Sequence, residues 1–331
     1  MYTDEDLNKA VSKGIFSEEA VGNFRQHIAE LTSSEAADEE NFRLIASFND
    51  IFVVIACMLL LFSVGWVTFS IHAAVATASV AILSWFLAEF FVLKRKMALP
   101  GIVLLNSYVI GVFTFVLALS GFGEEVNWMI AGAVSTAAAW FHWKRFKVPI
   151  TVAAGVATAV VCVLALLVAI IPALEDNLNL PMFICGLVTF YIAMHWDSSD
   201  LSRTSGKSDV AFWLHLISAP LIVHPVFSYL GVLEGTENLA NLIAVIALYI
   251  VLIILSVVID RRAFMVSSLV YVLYALTELF SLYGLEGDSF AYVGVIIGFS
   301  LLLLSGFWRK TRAMLFEMLP TSIQNQVPGV S

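Results

Sequence analysis

A succession of apolar stretches of about twenty residues, separated by short polar segments, is the feature that most constrains this chain. A helix of about 20 apolar residues crosses the ~30 Å hydrocarbon core of a bilayer. The chain is 60% hydrophobic and 13% charged, with a mean hydropathy of +0.91, whereas soluble domains contain about 25% charged residues. The sequence therefore predicts an all-α polytopic membrane protein of about ten transmembrane helices that pair as five hairpins.

The apolar stretches also predict the domain organisation. Residues 1–48 are expected to form a cytoplasmic helical pair with an acidic linker. Residues 49–312 form the transmembrane bundle, and residues 313–331 form a cytoplasmic tail with an interfacial helix. The ten predicted spans cover approximately 50–70, 73–93, 101–120, 127–143, 149–171, 181–196, 210–230, 239–259, 264–284 and 290–308.

The distribution of basic residues predicts the orientation. All 17 lysines and arginines fall in the N-terminal segment or in loops that follow even-numbered spans. The opposite loops carry only acidic residues: Glu124, Glu125, Glu175, Asp176, Glu234, Glu237, Glu286 and Asp288. Because basic loops stay in the cytoplasm, this alternation predicts that both termini are cytoplasmic.

Small residues at four-residue spacing indicate where helices pack closely. Gly132 and Thr136 share one face of the fourth predicted span, and Gly155 and Ala159 share one face of the fifth. Small side chains let neighbouring backbones approach, so these faces are expected to be packing surfaces.

The N-terminal segment reads as two short helices. Gly14 suits the left-handed position that ends the first, and Ser17, followed by Glu18 and Glu19, suits the start of the second. The apolar stripe of the second helix is Val21, Phe24, Ile28 and Leu31. Two helices of this size bury little core, so residues 1–40 are expected to bind a protein partner or a second copy.

The stretch from Gly14 to Ala20, between two short helices and ahead of the first span, resembles a family of uncharacterised bacterial predicted membrane proteins. The resemblance covers roughly the first 70 residues. It implies a multi-pass protein of the bacterial inner membrane and brings no catalytic residues. Ten spans with both ends inside also resemble the drug/metabolite transporter superfamily, in topology alone.

Four ionisable residues inside the predicted spans are candidates for a substrate or proton path: Glu89, His215, His224 and Glu278. Charges in hydrocarbon are costly, so residues that carry them mark functional sites by default. Pro220 and Pro225 interrupt the helix that carries both histidines, and a kink there would turn both toward one cavity. In the alternative interpretation, the histidines are satisfied core residues, and Glu89 pairs with Lys94, Arg95 or Lys96 at the interface.

A second candidate site lies at the cytoplasmic face, where His195, Asp197 and Asp209 flank a polar loop. His, Asp and Ser occur there within a few residues, an inventory that suits a hydrolase or a divalent ion. The spacing matches no metal or triad motif, so a solvated loop is the favoured interpretation, with Asp209 as the N-cap of the seventh span.

The function that follows is a permease for a small solute or ion, which is proton-coupled if the buried histidines titrate. The alternatives are a non-catalytic scaffold or sensor acting through its N-terminal helices, and an intramembrane enzyme at the cytoplasmic face. The lipid bilayer is the expected partner. No cofactor or metal is expected, because Cys57, Cys162 and Cys185 lie singly in apolar runs. A net charge of −9 without a basic stripe argues against nucleic acid.

Overall fold

The computed structural model describes residues 4–24, 48–119, 121, 123–201, 203, 205–231, 239–282, 289–324 and 326–329. The described residues are helical or lie in turns, and no strand occurs among them. The chain divides into two compact units, residues 1–44 and 45–331.

The first unit contains two helices, α1 (Asp4–Ser12) and α2, which is described over residues 18–24. Gly14 has a φ of +70°, so the predicted left-handed residue after α1 is confirmed. The Ser17 hydroxyl accepts a hydrogen bond from the Ala20 amide at 3.0 Å, which confirms Ser17 as the cap of α2. Three predicted features lie outside the described residues: Ile28 and Leu31 of the apolar stripe, and the acidic linker.

The second unit is a bundle of long helices, with a helix at each of the ten positions where the sequence predicts a span. The helices are α3 (Phe48–Phe69), α4 (Ala73–Ala88, continued as a π-helix over Glu89–Lys94), α5 (Ala98–Ala118), α6 (Glu124–Phe146), α7 (Ile150–Ile170), α8 (Asn179–Ser198), α9 (Gly206–Tyr229), α10 (Leu239–Ile259), α11 (Ala263–Leu282) and α12 (Ser289–Gly306). Three short elements complete the unit: a 3-10 turn (Pro172–Leu174), α13 (Trp308–Glu317) and α14 (Thr321–Gln324).

Fewer than ten of the described helices qualify as membrane spans by length and composition alone. Within the described residues, eight helices are long and apolar enough to cross a membrane, namely α3, α4 with its π-helix, α5 and α7–α11. A ninth is added if α12 and α13 count as one broken span, because they meet at an angle of 71°. The remaining predicted span, α6, carries Glu124 and Glu125 at one end and Lys144 and Arg145 at the other, and it is not among the eight.

The end of the bundle differs from the prediction in where the last helix begins. The interfacial helix expected after residue 312 starts at Trp308, directly after the bend at Phe307. Met314 and Met318 on and beside α13 are exposed. Because of this bend, α13 runs at a large angle to α12. It is an amphipathic helix, as the composition of that segment predicts.

The small residues of α6 and α7 lie where these two helices pack closely. A Cβ atom on Gly132 would lie 2.7 Å from the Cys162 backbone nitrogen, so only glycine allows this approach. One turn on, the hydroxyls of Thr136 and Thr158 are 3.0 Å apart. The two contacts advance along α6 while they recede along α7, so the helices run antiparallel, and the predicted packing role of Gly132 is confirmed.

The turns after α4, α6, α8 and α10 share an unusual backbone conformation. Each contains a non-glycine residue in the left-handed region: Lys96, Lys147, Arg203 and Asp260, with φ between 52° and 57°. Residues other than Gly, Asn and Asp rarely adopt this backbone conformation. Two of these residues, Arg203 and Asp260, take part in the site described next.

Candidate functional site

The structure does not gather the predicted path residues into one cavity. His215 is fully buried in α9, whereas His224 is exposed on the same helix, and its Nδ1 lies 2.7 Å from the hydroxyl of Tyr271 on α11. Glu278 is half-buried on α11 and interacts with the hydroxyl of Tyr274 one turn before it. Pro220 and Pro225 lie within α9, which continues through both prolines as one helix, and the two histidines on it have different surroundings.

Glu89 also has a different partner from the one expected. Both of its carboxylate oxygens accept hydrogen bonds from the Arg145 guanidinium of α6, each at 2.8 Å. Neither side chain is buried, because 31% of Glu89 and 55% of Arg145 is exposed. The expected pairing with Lys94, Arg95 or Lys96 is therefore replaced by a pair between two helices, which ties α4 to α6.

The buried charges lie instead at the end of the bundle where α8 stops, α9 starts and α10 turns into α11. Asp197, in the last turn of α8, is 1% exposed. Arg261, in the turn after α10, donates to Asp197 from Nη2 to Oδ1 at 2.7 Å and from Nε to Oδ2 at 3.2 Å. The same Nη2 donates to the hydroxyl and carbonyl oxygens of Ser208 in the first turn of α9, at 3.0 and 3.2 Å.

His215 completes this half of the site. Its Nε2 is 3.3 Å from Asp197 Oδ2, an ion-pair distance, and its ring meets Phe190 edge to face. Its Nδ1 has no hydrogen-bond partner among the described residues. A fully buried imidazole with an unbonded ring nitrogen is rare, because an unsatisfied buried polar group costs about 1–3 kcal/mol.

Asp260 organises the other half. It accepts a hydrogen bond from Arg203 Nη1 at 2.6 Å and from the Trp308 indole at 2.8 Å, and Arg312 Nε lies 3.6 Å away. Arg312 also donates to the carbonyl oxygens of Pro328 and Gly329, so the last described residues are bound to the same place. We call Asp197, Arg203, His215, Asp260, Arg261 and Arg312 the ion cluster.

The electrostatics of the ion cluster are those of densely packed, water-excluded charges. Arg261 and Arg312 are 2% and 3% exposed, which is rare for arginine. Burial and the neighbouring Arg261 lower the pKa of the Arg203 guanidinium below its ordinary value, and the carboxylate of Asp260 opposes that shift. An arginine stays protonated at any pH a protein meets, so the cluster holds its positive charges permanently and depends on its aspartates to balance them.

Two residues predicted for the cytoplasmic-face site lie outside the cluster. His195 is exposed, two positions before Asp197 on α8 and thus on another side of that helix. Ser205, not Asp209, caps α9, because its hydroxyl accepts from the Lys207 amide and α9 begins at Gly206. Asp209 lies within the first turn of α9 and is half-buried.

The described side chains of the ion cluster are paired with one another rather than arranged around a metal ion or a serine nucleophile. Among the residues that the structure describes, no group of three or more His, Cys, Asp or Glu side chains is placed to hold a metal ion. The hydroxyl of Ser208 accepts from Arg261, and the nitrogen of His215 that faces an acid faces Asp197. Ser208 and His215 therefore do not form the serine–histidine hydrogen bond by which a histidine activates a serine nucleophile.

Comparison of the chain with protein-family profiles, characterised proteins and solved structures found no match. The resemblance of the N-terminal segment to a bacterial membrane protein family therefore stays a prediction. The function has to be inferred from the geometry of the chain itself.

Proposed function

We propose that the protein is a membrane permease for a small solute or ion, in which the ion cluster closes one end of the helix bundle. The observation that carries this proposal is a set of ionised side chains, almost wholly buried, where α8, α9, α13 and the turn after α10 meet. A buried salt bridge is weak evidence for stability, since apolar side chains of the same volume do as well. Because the ion cluster lies between the ends of separate helices, its position favours a contact that opens over one that only stabilises the fold.

Ion pairs suit a gate better than an apolar plug for an energetic reason. When helices separate and water enters, exposed charges regain their hydration, whereas exposed apolar side chains lose the free energy of burial. The closed and open states of an ionic gate therefore differ by only a few kcal/mol, as a two-state equilibrium requires. The cluster also joins elements far apart in sequence, so opening it would release several helix ends together.

Helix α9 is the element best suited to move. Pro220 and Pro225 lack the amide hydrogen of an ordinary helical residue, so two backbone hydrogen bonds of α9 are missing. Ser208 and His215, on the near side of these prolines, contact Arg261 and Asp197 in the cluster. Bending at the prolines would therefore move the contacts of the gate and leave the far end of α9 in place.

The proposal rests on the ion cluster and not on a shared cavity of His215, His224 and Glu278. It is favoured over an intramembrane enzyme because, among the described residues, Asp197 and His215 pair with each other and with Arg261, and the Ser208 hydroxyl beside them is bonded to Arg261. Proton coupling is proposed only through His215, whose Nδ1 is available within the cluster.

Flux through proteoliposomes tests the proposal. The probes are protons, followed with an internal pH dye, potassium ions, followed with an internal potassium dye, and glycerol and urea, followed by light scattering. The double variant Asp197→Asn with Arg261→Gln removes both charges and keeps side-chain size. Weakening the closed state by about 1.4 kcal/mol should raise the flux of at least one probe roughly tenfold.

The matched control is Glu89→Gln with Arg145→Gln, which removes an exposed pair and should leave the flux unchanged. Equal flux of every probe through wild type and the cluster variant, or none above protein-free vesicles, would refute the gate. Deleting residues 1–44 distinguishes a permease from the scaffold alternative, because a permease keeps its flux without these residues.

A further inference from the structure

A groove on the surface of the bundle lies among α3, α4 and α5, away from the ion cluster. It has a volume of about 700 Å³, within the range of about 300–1,000 Å³ typical of ligand sites. Helix α4 forms its floor with Ala76, Thr77 and Val80, while α3 and α5 form the walls. None of the described residues that line the groove is charged.

One wall of the groove is aromatic and the other carries an amide. Phe62 and Trp66 of α3 are 68% and 73% exposed, and their rings stack with centroids 6.0 Å apart. Asn106 of α5 faces the groove, is exposed, and forms no side-chain hydrogen bond within the described part of the chain.

The other polar side chains of α4 and α5 in the groove have already used their donors. Thr77, Ser107 and Thr114 each donate a hydrogen bond to a carbonyl of their own helix. Their hydroxyls therefore need no further acceptor. Asn106 differs from them, because its amide keeps two donors and an acceptor unused in the middle of an apolar surface.

The depth of Asn106 restricts which groups can form hydrogen bonds with its side-chain amide. Asn106 lies eight residues into α5, about 12 Å along the helix axis from its start. Phospholipid head groups remain at the interface, so an annular lipid offers only acyl chain at this depth. An unpaired amide in hydrocarbon is costly, which indicates a hydrogen-bonding group brought into the groove from elsewhere.

A second copy of the chain fits the groove poorly. Close pairs of membrane helices need small residues on the facing surface. The glycines of this region already pack on α4: a Cβ on Gly111 would lie 3.1 Å from Ala81, and one on Gly65 would lie 3.2 Å from Val80. The rim is bulky instead, with Met58, Trp66 and Ile110 all more than half exposed.

We propose that this groove binds an uncharged, ring-bearing molecule dissolved in the bilayer, which carries a carbonyl or hydroxyl group that hydrogen-bonds to Asn106. The exposed pair Phe62 and Trp66 supplies a flat apolar surface for the ring. The absence of lining charge selects a neutral ligand. The site is independent of the proposed gate, since its lining residues lie on α3, α4 and α5 and none of them belongs to the ion cluster.

Photolabelling with benzophenone, an uncharged diaryl ketone, tests this proposal in phosphatidylcholine proteoliposomes of the full chain. Labelling of the α3 peptide that contains Met58 should saturate with probe concentration. Asn106→Leu removes the amide and should raise the half-saturating concentration about fivefold to tenfold, as expected for one hydrogen bond. Ile110→Trp should fill the groove and abolish saturable labelling. The matched control is Ser79→Leu, at a half-buried serine of α4 that does not line the groove, and it should change nothing.

Three results would overturn the proposal. Labelling that rises linearly with probe concentration would indicate partitioning into bulk lipid. An Asn106→Leu variant that keeps the wild-type half-saturation would show that the amide does not bind the ketone. Disulfide-linked dimers of an Asn106→Cys variant in membranes would show that a second copy covers the groove. Unchanged flux and elution of each variant would confirm that it is folded.

Discussion

Neutralising Arg261 alone should destabilise the protein severely, and neutralising Asp197 together with it should not. Arg261→Gln leaves the Asp197 carboxylate 1% exposed and without its two hydrogen bonds from the guanidinium, with His215 beside it. Breaking a buried ion pair by removing one partner costs about 3–5 kcal/mol. The unfolding equilibrium should therefore shift by roughly two to three and a half orders of magnitude.

The double variant Asp197→Asn with Arg261→Gln removes the uncompensated charge. Its remaining cost is that of polar groups of Ser208 that lose their donor, about 1 kcal/mol for each hydrogen bond. The sum of the two single effects should therefore exceed the effect of the double variant by at least about 2 kcal/mol.

Equilibrium unfolding by sodium dodecyl sulfate in mixed micelles, followed by the fluorescence of the eight tryptophans, measures this coupling. Glu89→Gln is the matched control, because it breaks an exposed pair of similar distance and should shift the midpoint little. If each single variant lost less than about 1 kcal/mol and the two effects simply added, the cluster would not be a coupled, buried network.

Two further predictions concern packing and the end of α13. Gly132→Ala should destabilise by about 1–3 kcal/mol, because its Cβ would collide with the α7 backbone, whereas Gly294→Ala on α12, with nothing within 4 Å, should be neutral or stabilising in the same unfolding assay. Trp308→Phe keeps the ring and removes the hydrogen bond to Asp260, so it should cost about 1.5–3 kcal/mol and increase the proteolysis of the C-terminal residues.

The positions of the helices were predictable because apolar length alone locates a helix of this kind. Local chemistry also located the cap at Ser17 and the close contact at Gly132, since both depend on neighbours within a few residues. Pairings between distant helices were not predictable. Arg261 lies 64 residues from Asp197, and Arg145 lies 56 residues from Glu89. No sequence period fixes which helices become neighbours.

A signal for the ion cluster was nevertheless present in the sequence. The loops after the second and fourth predicted spans contain basic residues and no acid. The loops after the sixth and eighth mix the two, with Asp197, Asp200 and Asp209 in one and Asp260 beside Arg261 in the other. Acidic residues are not needed to set the orientation of a span. Aspartates among the basic residues of these two loops therefore indicate ion pairs between the acidic and basic residues of the loops. If Arg261 is interpreted only as a topology signal, its ion pair with Asp197 is not predicted.

The number of spans depends on α6, whose two ends lie near opposite ends of α5. Glu124 begins α6 shortly after the end of α5, whereas Arg145 near its other end binds Glu89, close to the turn that joins α4 to α5. Since α5 connects these two ends of the bundle, we expect α6 to return across the thickness that α5 crosses. Its 23 residues extend about 35 Å as a helix, enough for a bilayer.

We therefore expect ten crossings with both termini on the cytoplasmic side. In a variant lacking native cysteines, Asp176→Cys in the turn before α8 should react with an impermeant maleimide on intact cells. Lys147→Cys, after α6, and Lys207→Cys, at the start of α9, should react only after permeabilisation. If α6 did not cross, the three positions would exchange sides, because every loop after α6 would be inverted. That reversal would also place the ion cluster at the outer surface and leave the basic loops on the side that the positive-inside rule forbids.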